Sequence, residues 1–432
     1  MSRKPLFALV DCNNFFVSCE RIFRPDLEDK PVVVLSSNDG CFVARSNEAK
    51  ALGLPMGAPA FKYREIMDRH NVVCFSANFE LYGDISRRIT NLLSEVCPRI
   101  EVYSIDESFL DISALDIPDV EAWGRELRAR VLREISVPVS IGIAPTKTLA
   151  KLASEHAKTT PELAGALTID SNDTLYRAKT PVEAIWGVGW RLAPKLKAAG
   201  IMNAHDVAKA RPNLIKQLVG SIHGSQLVME LSGQSCLPLE REAQVQQSIM
   251  RGRTLGHDTS SEADLEAALA SLTARAAFRL REQRQVTHRI GFTLETSRHK
   301  PGYQRIHREI KLPAPTNDTG EILALLSHEL ASIMSPGKQY HRLNIHLLAL
   351  RGQDTIQSDI LGNFDDQKFI RQSARMEALD ELNSKFGRGT LRYASENLSN
   401  AWLPLRGQGS PRYVSSWSEL PTIRCYTAQG KN

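Results

Sequence analysis

The chain has 432 residues, of which 42% are hydrophobic and 24% are charged, and a formal net charge of +5. This composition is typical of a globular protein of roughly three domains. No stretch approaches the ~20 apolar residues of a membrane helix, and the N-terminus lacks the apolar core of a signal peptide. The seven cysteines form no CxxC pair with zinc-like spacing. We therefore expect a cytoplasmic protein with free thiols.

The first segment predicts a sheet with the connection β-α-β-β-α-β, interrupted by an insertion over residues of about 20–80. Apolar residues at helical spacing predict a helix over Val120–Ile135, and a second helix is expected near Tyr82–Val96. In such a split β-α-β sheet the first strand lies beside the central hairpin, which would bring Asp11 next to Asp106. The strands are predicted at Leu6–Asp11, Ile100–Ile105, Ser108–Ile112 and Pro138–Ile143.

Three carboxylates mark the ends of these strands. Asp11 closes the first strand, and Asp106 and Glu107 are adjacent in the tight turn of the central hairpin. Charged groups at the tips of apolar strands are costly unless they are paired. Three acidic oxygen donors that converge suit hard cations such as Mg²⁺, and two such ions about 4 Å apart serve phosphoryl transfer. The alternative is that Asp106 caps the hairpin and Glu107 is solvated.

Two aromatic residues, Phe15 and Phe16, follow Asp11 closely. Core packing is the usual role of such a pair. Alternatively, they form a wall beneath a bound sugar, where a bulky ring against C2′ would exclude a ribose 2′-hydroxyl by its volume.

Basic residues occur in two places that the fold could bring to the carboxylates. Arg45 and Lys50 lie in the insertion, near its predicted helix at Asn47–Leu52, which follows a strand at Val32–Leu35. Lys151 and Lys158 lie on or directly after a helix predicted at Thr148–Ala157. Isolated lysines are mostly solvated surface residues, but together these cations could hold a triphosphate.

Residues of about 170–235 have a helical pattern that contains a glycine hairpin. Gly187 and Gly189 would join two helices, and backbone amides in such a turn can bind a phosphate. Arg191 and Lys195 lie directly beside the turn. The alternative is an ordinary corner between two helices.

The segment 243–353 carries the excess of positive charge, with fifteen Lys and Arg against ten Asp and Glu. Its strands and helices repeat the β-α-β-β-α-β pattern, with a long helix predicted at Glu262–Glu282. Such a charge excess gives affinity for nucleic-acid phosphates, although a solvated basic face is an equal alternative. Alternation along two strands predicts one basic sheet face formed by Arg251, Arg253, Arg305, His307 and Glu309.

Several motifs resemble the Y-family DNA polymerases. These are Val-Asp-Cys-Asn-Asn-Phe-Phe from residue 10, Tyr-Ser-Ile-Asp-Glu-Ser from residue 103, and Gly-Ile-Ala-Pro-Thr-Lys-Thr-Leu-Ala-Lys at 142–151. The sequence at 410–421 is similar to the C-terminus of the UmuC-type branch, the catalytic subunits of bacterial SOS translesion polymerases. The resemblance implies an α+β multidomain fold shaped like a right hand: palm at 1–20 and 80–168, fingers at 21–79, a helical thumb with a helix-hairpin-helix at 169–235, a little finger at 243–353 and a partner-docking tail at 354–432.

The resemblance also implies roles for individual residues. Asp11, Asp106, Glu107 and the backbone carbonyl of Cys12 match ligands of two Mg²⁺ ions, and Phe16 matches the steric-gate position. The dNTP would contact Asn13, Asn14, Phe15, Phe16, Arg45, Lys50 and Lys158. Primed template DNA would contact Gly187, Gly189, Arg191, Lys195, Arg251 and Arg253.

The implied partners are a UmuD′-type accessory dimer, a RecA filament and, through a degenerate clamp peptide with Gln357, Ile360 and Leu361, the sliding clamp. An ordinary linker is the alternative for that peptide. The implied location is the bacterial nucleoid. Two other hypotheses remain open at this point: a nucleotidyl cyclase, which shares a carboxylate-bearing palm, and a DNA-damage scaffold with an idle site.

Overall fold

The computed structural model describes residues 4–240, 245–335, 337–355 and 366–422. The chain forms two compact units, one of Met1–Ala243 with Gln408–Asn432 and the other of Gln244–Gly407. The second unit is therefore inserted into the first. The first unit holds these strands and helices: β1 Phe7–Cys12, α1 Phe15–Phe23, β2 Val32–Leu35, β3 Phe42–Arg45, α2 Asn47–Ala51, α3 Arg64–Arg69, β4 Val73–Ser76, α4 Phe79–Val96, β5 Ile100–Val102, β6 Glu107–Asp111, α5 Val120–Ile135, β7 Val139–Ala144, α6 Lys147–Thr159, β8 Ala166–Thr168, α7 Leu175–Lys179, α8 Ala193–Ala198, α9 Ala204–Lys209, α10 Pro212–Val219 and α11 Ser221–Leu231.

The central sheet of this unit has the strand order β5-β6-β1-β7-β8. Ala8 and Val10 of β1 pack in a core with α4 and α5, whereas Phe7 and Leu9 pack in a second core with α6. Because both faces are covered, the strand is a continuous apolar run. Alternation along the strand places Asp11 on the face of Phe7 and Leu9, which is the face that carries α6.

Helix α6 lies unusually close to this sheet. A Cβ atom added to Gly142 of β7 would lie 2.1 Å from the carbonyl oxygen of Ala150 and 2.2 Å from the backbone nitrogen of Ser154. Ser140 and Ala144 share the Gly142 face of the strand and are also small. The small residues on β7 thus let the helix backbone touch the sheet, and they fix where the α6 side chains emerge.

The insertion contains a small sheet with the order β3-β2-β4, in which β2 is antiparallel to β3 and parallel to β4. The predicted strand at Val32–Leu35 is present, and α2 begins where predicted because the Ser46 hydroxyl accepts a hydrogen bond from the Ala49 amide. The elements β3, α3 and β4 are not apparent in the sequence pattern, because they are only four to six residues long.

Helices α7 to α11 form the helical part of the unit. The element before the glycine hairpin is a single 3₁₀ turn at Val182–Ala184, and α8 begins at Ala193, four residues after Gly189. The helix predicted after the glycine turn is therefore confirmed as the short helix α8, whereas the prediction of a helix directly before the turn is wrong. Gly187 has a φ of +85°, and a Cβ there would meet the His223 ring at 2.7 Å, so glycine is required for both conformation and packing.

The second unit is an antiparallel sheet with the order β11-β10-β12-β9. Phe292, Ile345 and Leu347 on one sheet face share a core with residues of the two helices that connect the strands. The predicted β-α-β-β-α-β pattern is thereby confirmed. Its elements, with one further helix, are β9 Ile249–Thr259, α12 Glu262–Glu282, β10 Gln285–Glu295, β11 Arg305–Thr316, α13 Thr319–Ile333, β12 Tyr340–Gly352 and α14 Asp366–Phe386.

The prediction of a single basic sheet face, formed by Arg251, Arg253, Arg305, His307 and Glu309, is wrong. Arg251 is the cross-strand partner of Ile345, so it lies on the helix-covered face, whereas His307 pairs with Thr293 on the other face. Strands β9 and β11 also lie at opposite edges of the sheet. Alternation within each strand could not reveal this, because it does not fix the relative register of two strands.

The predicted tail divides between the two units. Helix α14 was not predicted. Two hydrogen bonds of 2.7 and 2.8 Å from Arg281 to the Asp380 carboxylate hold it to the second unit, and its Met376 is buried. Trp402 is buried in the core of the same unit. From Gln408 onward the chain belongs to the first unit.

Candidate active site

Two of the three predicted carboxylates lie directly opposite each other in the central sheet. Asp11 of β1 is the cross-strand partner of Glu107 of β6, so their Cα atoms are roughly 5 Å apart and their side chains leave the same face. The Cys12 amide donates a hydrogen bond of 2.9 Å to the Asp106 carbonyl oxygen. Asp11 and Glu107, which are 96 positions apart in the sequence, thereby form one acidic strand end.

Ser104 orders the hairpin turn that carries Asp106. Its hydroxyl donates to the Asp106 carboxylate and accepts from the backbone amides of Asp106, at 3.2 Å, and Glu107, at 3.0 Å. The side chain that caps the turn is therefore Ser104, and the alternative role of Asp106 as the cap is not what the structure shows. This serine was not among the predicted site residues, although it precedes the acidic pair by two positions.

Lysines of α6 neutralise the two facing carboxylates. Lys158 Nζ lies 3.0 Å from Asp11 Oδ1, and Lys151 Nζ lies 2.8 Å from Glu107 Oε2. The two lysines are two helical turns apart on α6, so one helix that crosses both strand ends can bring a lysine to each carboxylate. Burial raises the pKa of Asp11 to about 6, and Lys158 opposes that rise.

In this structure the carboxylates are not arranged to coordinate a metal ion together. Within the described residues, no three side chains of His, Cys, Asp or Glu are oriented so that they could hold a metal ion together. The oxygen atoms of Asp11 and Glu107 instead face lysine ammonium groups. The donor set nevertheless consists of carboxylate oxygens and a nearby backbone carbonyl, which is the chemistry that Mg²⁺ and similar hard cations prefer.

The two asparagines after Asp11 connect the central sheet to the insertion. Asn13 Oδ1 accepts a hydrogen bond of 2.9 Å from the Ser140 hydroxyl. Asn14 adopts a left-handed conformation, with a φ of 49°, and its Oδ1 accepts a 2.7 Å hydrogen bond from Lys50 of α2. Its Nδ2 donates to Asn47 Oδ1 at 3.0 Å. These contacts set the position of α2 relative to Asp11.

A group of cations lies on the insertion side of the carboxylates. Burial lowers the pKa of Lys50, and the positive charges of Lys158 and Arg45 lower it further. Three cations that repel one another in a half-buried place are typical of a site that receives an anion. Arg45 donates to the Leu54 carbonyl oxygen, so part of its guanidinium is already engaged.

Phe15 and Phe16 have different environments. Phe15 is buried in the core, which agrees with the packing alternative. Phe16 is half-buried and stacks on Tyr82, with ring centroids 4.4 Å apart and planes at 11°. Its exposed part lies at the start of α1, directly after the strand that ends in Asp11.

The glycine turn is connected to the carboxylates through aromatic rings. Trp186 Nε1 donates a 3.1 Å hydrogen bond to the Tyr103 hydroxyl, and Lys151 Nζ lies 4.6 Å from the Tyr103 ring centroid and 5.5 Å from that of Trp186. Cation–π contacts of this kind hold the ammonium beside Glu107. No sequence signal pointed to Trp186 as part of the site.

Comparison with known proteins agrees with this architecture. The model of the impB/mucB/samB family matches residues 10–155, the model of that family's C-terminal domain matches residues 246–360, and a domain of unknown function matches residues 374–423. The chain is 39% identical to the protein UmuC of Salmonella typhimurium, over 97% of this chain and 100% of that protein. It is 34% identical to the protein MucB of Escherichia coli, over 96% of this chain and 99% of that protein.

The chain belongs to the UmuC-type branch of the Y-family DNA polymerases. Solved structures agree in fold: a Y-family DNA polymerase chimera of Dbh and Dpo4 covers 80% of this chain and 99% of its own, with a TM-score of 0.64 and 22% identity. DinB from Sulfolobus solfataricus covers 79% and 98%, with a TM-score of 0.51 and 22% identity. The α+β multidomain fold is confirmed, and the chain is a DNA-directed DNA polymerase of SOS translesion synthesis.

Most of the predicted DNA contacts of this polymerase are exposed. Arg191 stacks on Trp190, with its guanidinium 4.8 Å from the ring centroid, and Arg191, Lys195 and Arg251 are exposed. Arg253 differs, because it is half-buried and its pKa is lowered by burial and by the charges of Arg275 and Arg406. The predicted clamp peptide with Gln357, Ile360 and Leu361 lies outside the described residues. Across the described chain, no helix is long and apolar enough to cross a membrane.

Proposed function

We propose that Asp11, Asp106 and Glu107 are the catalytic carboxylates of this polymerase and that they hold two Mg²⁺ ions together with the carbonyl of Cys12. The supporting observation is the cross-strand pairing of Asp11 with Glu107, with Asp106 in the same turn. When bound, such ions lower the pKa of the primer 3′-hydroxyl and neutralise the departing pyrophosphate. With the carboxylates engaged in this way, Lys151 and Lys158 would leave Glu107 and Asp11, and both ammonium groups would be free to contact the substrate.

The nucleotide would lie between the carboxylates and the insertion. Lys158, Lys50 and Arg45 would bind the triphosphate of the dNTP, because their mutual repulsion falls when a polyanion enters. Asn13 and Asn14 would hold the strand end and α2 at the right separation. Phe16 would face C2′ of the sugar and exclude a 2′-hydroxyl by its volume, while Phe15 supports it from the core.

The primed template would be bound through backbone phosphates. The backbone of Gly187 and Gly189 would face the primer strand, and the side chains of Arg191 and Lys195 beside the turn would add positive charge. In the second unit the candidates are Arg251 and Arg253. Such phosphate contacts do not depend on the base sequence, which suits a polymerase that must act on any damaged template.

The family further supports a UmuD′-type accessory dimer and a RecA filament as activating partners, and the sliding clamp as a partner of the segment with Gln357, Ile360 and Leu361. Primer extension on a template with an abasic site tests these proposals. We expect little bypass by the chain alone and a large increase when both partners are added. Equal bypass with and without them would contradict the partner assignment.

Replacement of Asp106 by Asn tests the catalytic proposal. Loss of one ligand to a divalent ion removes several kcal/mol of transition-state stabilisation, so we expect primer extension to fall by about a hundredfold or more. DNA binding should persist in this variant. Asp116→Asn is the matched control, because Asp116 is an exposed carboxylate away from the sheet end.

Binding of Mg²⁺ or Mn²⁺ to the protein without DNA, measured by calorimetry, gives a second readout, and it should weaken in Asp106→Asn but not in Asp116→Asn. Unchanged extension by Asp106→Asn would instead favour a scaffold whose carboxylates are idle. Cyclic nucleotide formed from a nucleoside triphosphate, with no primer extension, would favour the cyclase hypothesis.

A further inference from the structure

The last described residues of the chain form a strap, residues 408–420, that packs on the first unit. The Ser76 amide donates a 2.8 Å hydrogen bond to the Gln408 carbonyl oxygen, and the Gln408 amide donates to the Ser76 hydroxyl at 3.0 Å. Ser76 also forms a parallel bridge with Gly409, so the strap continues the small sheet beside its edge strand β4. Tyr413 stacks on Phe23, with centroids 4.2 Å apart and planes at 2°.

The strap supplies a hydrogen bond to a buried carboxylate. Glu20 of α1 has 0% of its surface exposed, and its Oε1 accepts from the Tyr82 hydroxyl at 2.7 Å and from the Ser410 hydroxyl at 3.1 Å. Ser410 is oriented for this because it accepts a 3.0 Å hydrogen bond from Asn78 Nδ2. Among the described residues, Glu20 Oε2 has no hydrogen-bond partner. Burial of a carboxylate costs free energy, so the two hydrogen bonds to Oε1 are the side-chain contacts that offset this cost.

Glu20 in turn fixes the ring on which Phe16 rests. Tyr82 of α4 is completely buried, its hydroxyl is held by Glu20, and its ring lies flat against Phe16 at 4.4 Å. Phe79, on the same helix, meets Phe16 edge-on at 5.8 Å. The plane and depth of the Phe16 ring therefore depend on where Tyr82 is held, and Tyr82 is held through Glu20.

We propose that the strap positions Phe16 for sugar selection, through the chain of contacts Ser410–Glu20–Tyr82–Phe16. This inference rests on the proposed role of Phe16 as the residue that faces C2′. It assigns a positioning role to Ser410, which is part of the domain of unknown function matched at 374–423. Loss of the Ser410 hydroxyl leaves the Glu20 carboxylate with one hydrogen bond fewer, so Glu20 and Tyr82 are free to shift and the wall formed by Phe16 loosens.

Single-nucleotide insertion by the full chain on a primed template tests this proposal. For Ser410→Ala we expect the ratio of kcat/KM for rNTP over dNTP to rise about three- to tenfold, mainly through a lower KM for the rNTP. Tyr82→Phe, which keeps the ring but loses the hydroxyl, should give a similar rise. Ser415→Ala is the matched control, because Ser415 donates a 3.0 Å hydrogen bond from the same strap to Glu80, outside this chain of contacts.

A fourth variant separates the role of Phe16 from the role of Ser410. Phe16→Ala should admit rNTPs strongly, and adding Ser410→Ala to it should change the ratio no further, since Ser410 acts through Phe16. If Phe16→Ala leaves sugar selection unchanged, the proposed role of Phe16 is wrong. If Phe16→Ala admits rNTPs but Ser410→Ala and Tyr82→Phe match Ser415→Ala, the strap only stabilises the fold and the inference is overturned.

Discussion

Lys158 Nζ lies 3.0 Å from Asp11 Oδ1, although 147 residues separate them in the chain. The contact exists because α6 is packed tightly on β7, next to the strand that carries Asp11. Lys158 balances the Asp11 carboxylate in this structure, and under the proposed function it would turn to the triphosphate of a bound dNTP. The same side chain would thus serve the folded protein and the reaction at different times.

Replacement of Lys158 by Met should therefore weaken nucleotide use. A charge-assisted hydrogen bond contributes about 1.5–3 kcal/mol, so kcat/KM for dNTP insertion should fall roughly ten- to a hundredfold. Steady-state insertion kinetics measure this, and the affinity for primed DNA should be unchanged. Lys4→Met is the control, because Lys4 is exposed and precedes β1 at the end of the strand opposite Asp11. Equal dNTP kinetics in both variants would exclude a nucleotide contact by Lys158.

Gly142→Ala should be destabilising because the new Cβ would overlap the backbone of α6 at 2.1 Å. Overpacking of this kind costs about 1–3 kcal/mol. The free energy of unfolding from denaturant titration measures it, and primer extension should fall as well because α6 carries Lys151 and Lys158. Gly83→Ala is the matched control: that glycine is in helix α4, nothing lies within 4 Å of an added Cβ, and a gain of about 0.5–1 kcal/mol is expected. If the free energy of unfolding of Gly142→Ala equals that of the parent chain, α6 moves away from β7 at little cost.

The stability of the first unit should depend on pH through Glu20. Burial raises the pKa of Glu20, and hydrogen bonds from Tyr82 and Ser410 offset this only in part. The folded protein therefore binds the proton more tightly than the unfolded chain, so stability falls as pH rises from the unfolded pKa through the raised folded pKa. Melting temperatures of the parent chain and Glu20→Gln, recorded from pH 4 to pH 8, should diverge, with the parent losing stability relative to the variant. Parallel curves would show that Glu20 titrates alike in both states.

The combined change Arg251→Ala and Arg253→Ala should weaken DNA binding and reduce its dependence on salt. Each lost phosphate contact lowers the slope of log K against log salt by about 0.9, so the double variant should lose roughly two units. Fluorescence anisotropy with a primed duplex at several salt concentrations measures this slope. Arg279→Ala is a suitable control, because Arg279 is paired with Glu282 on α12. If Arg251→Ala alone gives the same slope as the double variant, the half-buried Arg253 makes no phosphate contact.

Long, well-marked elements were predictable from the sequence. The helices Val120–Ile135 and Glu262–Glu282 have the predicted bounds, since each combines helical periodicity with a capping side chain, Asp119 or Ser261, directly before it. The strands β3 and β4 are only four residues long, and the helix α14, although it has 21 residues, is weakly amphipathic, so none of them gave such a signal. Periodicity together with a cap predicts an element locally, whereas short or weakly amphipathic elements depend on the tertiary contacts that surround them.

In the candidate site, too, some residues were predictable from the sequence and others were not. Charged residues at the ends of apolar strands pointed to Asp11, Asp106 and Glu107, because burying a charge without a reason is costly. The contacts of Glu20 could not be predicted, since Tyr82 and Ser410 lie 62 and 390 positions away and neither has a local motif. The cross-strand register could not be predicted from the sequence either, which is why Arg251 and His307 were wrongly assigned to one sheet face.

The order of the chain has a consequence for its synthesis. Residues 408–420 complete the first unit, yet the ribosome makes them only after the whole of Gln244–Gly407. Until then the nascent first unit lacks the partner of Phe23 and the neighbour of edge strand β4, and Glu20 has Tyr82 as its partner but not Ser410. A messenger truncated before codon 408 would consequently encode the site residues of the central sheet and α6 but would leave Phe23 and the edge of β4 open to solvent.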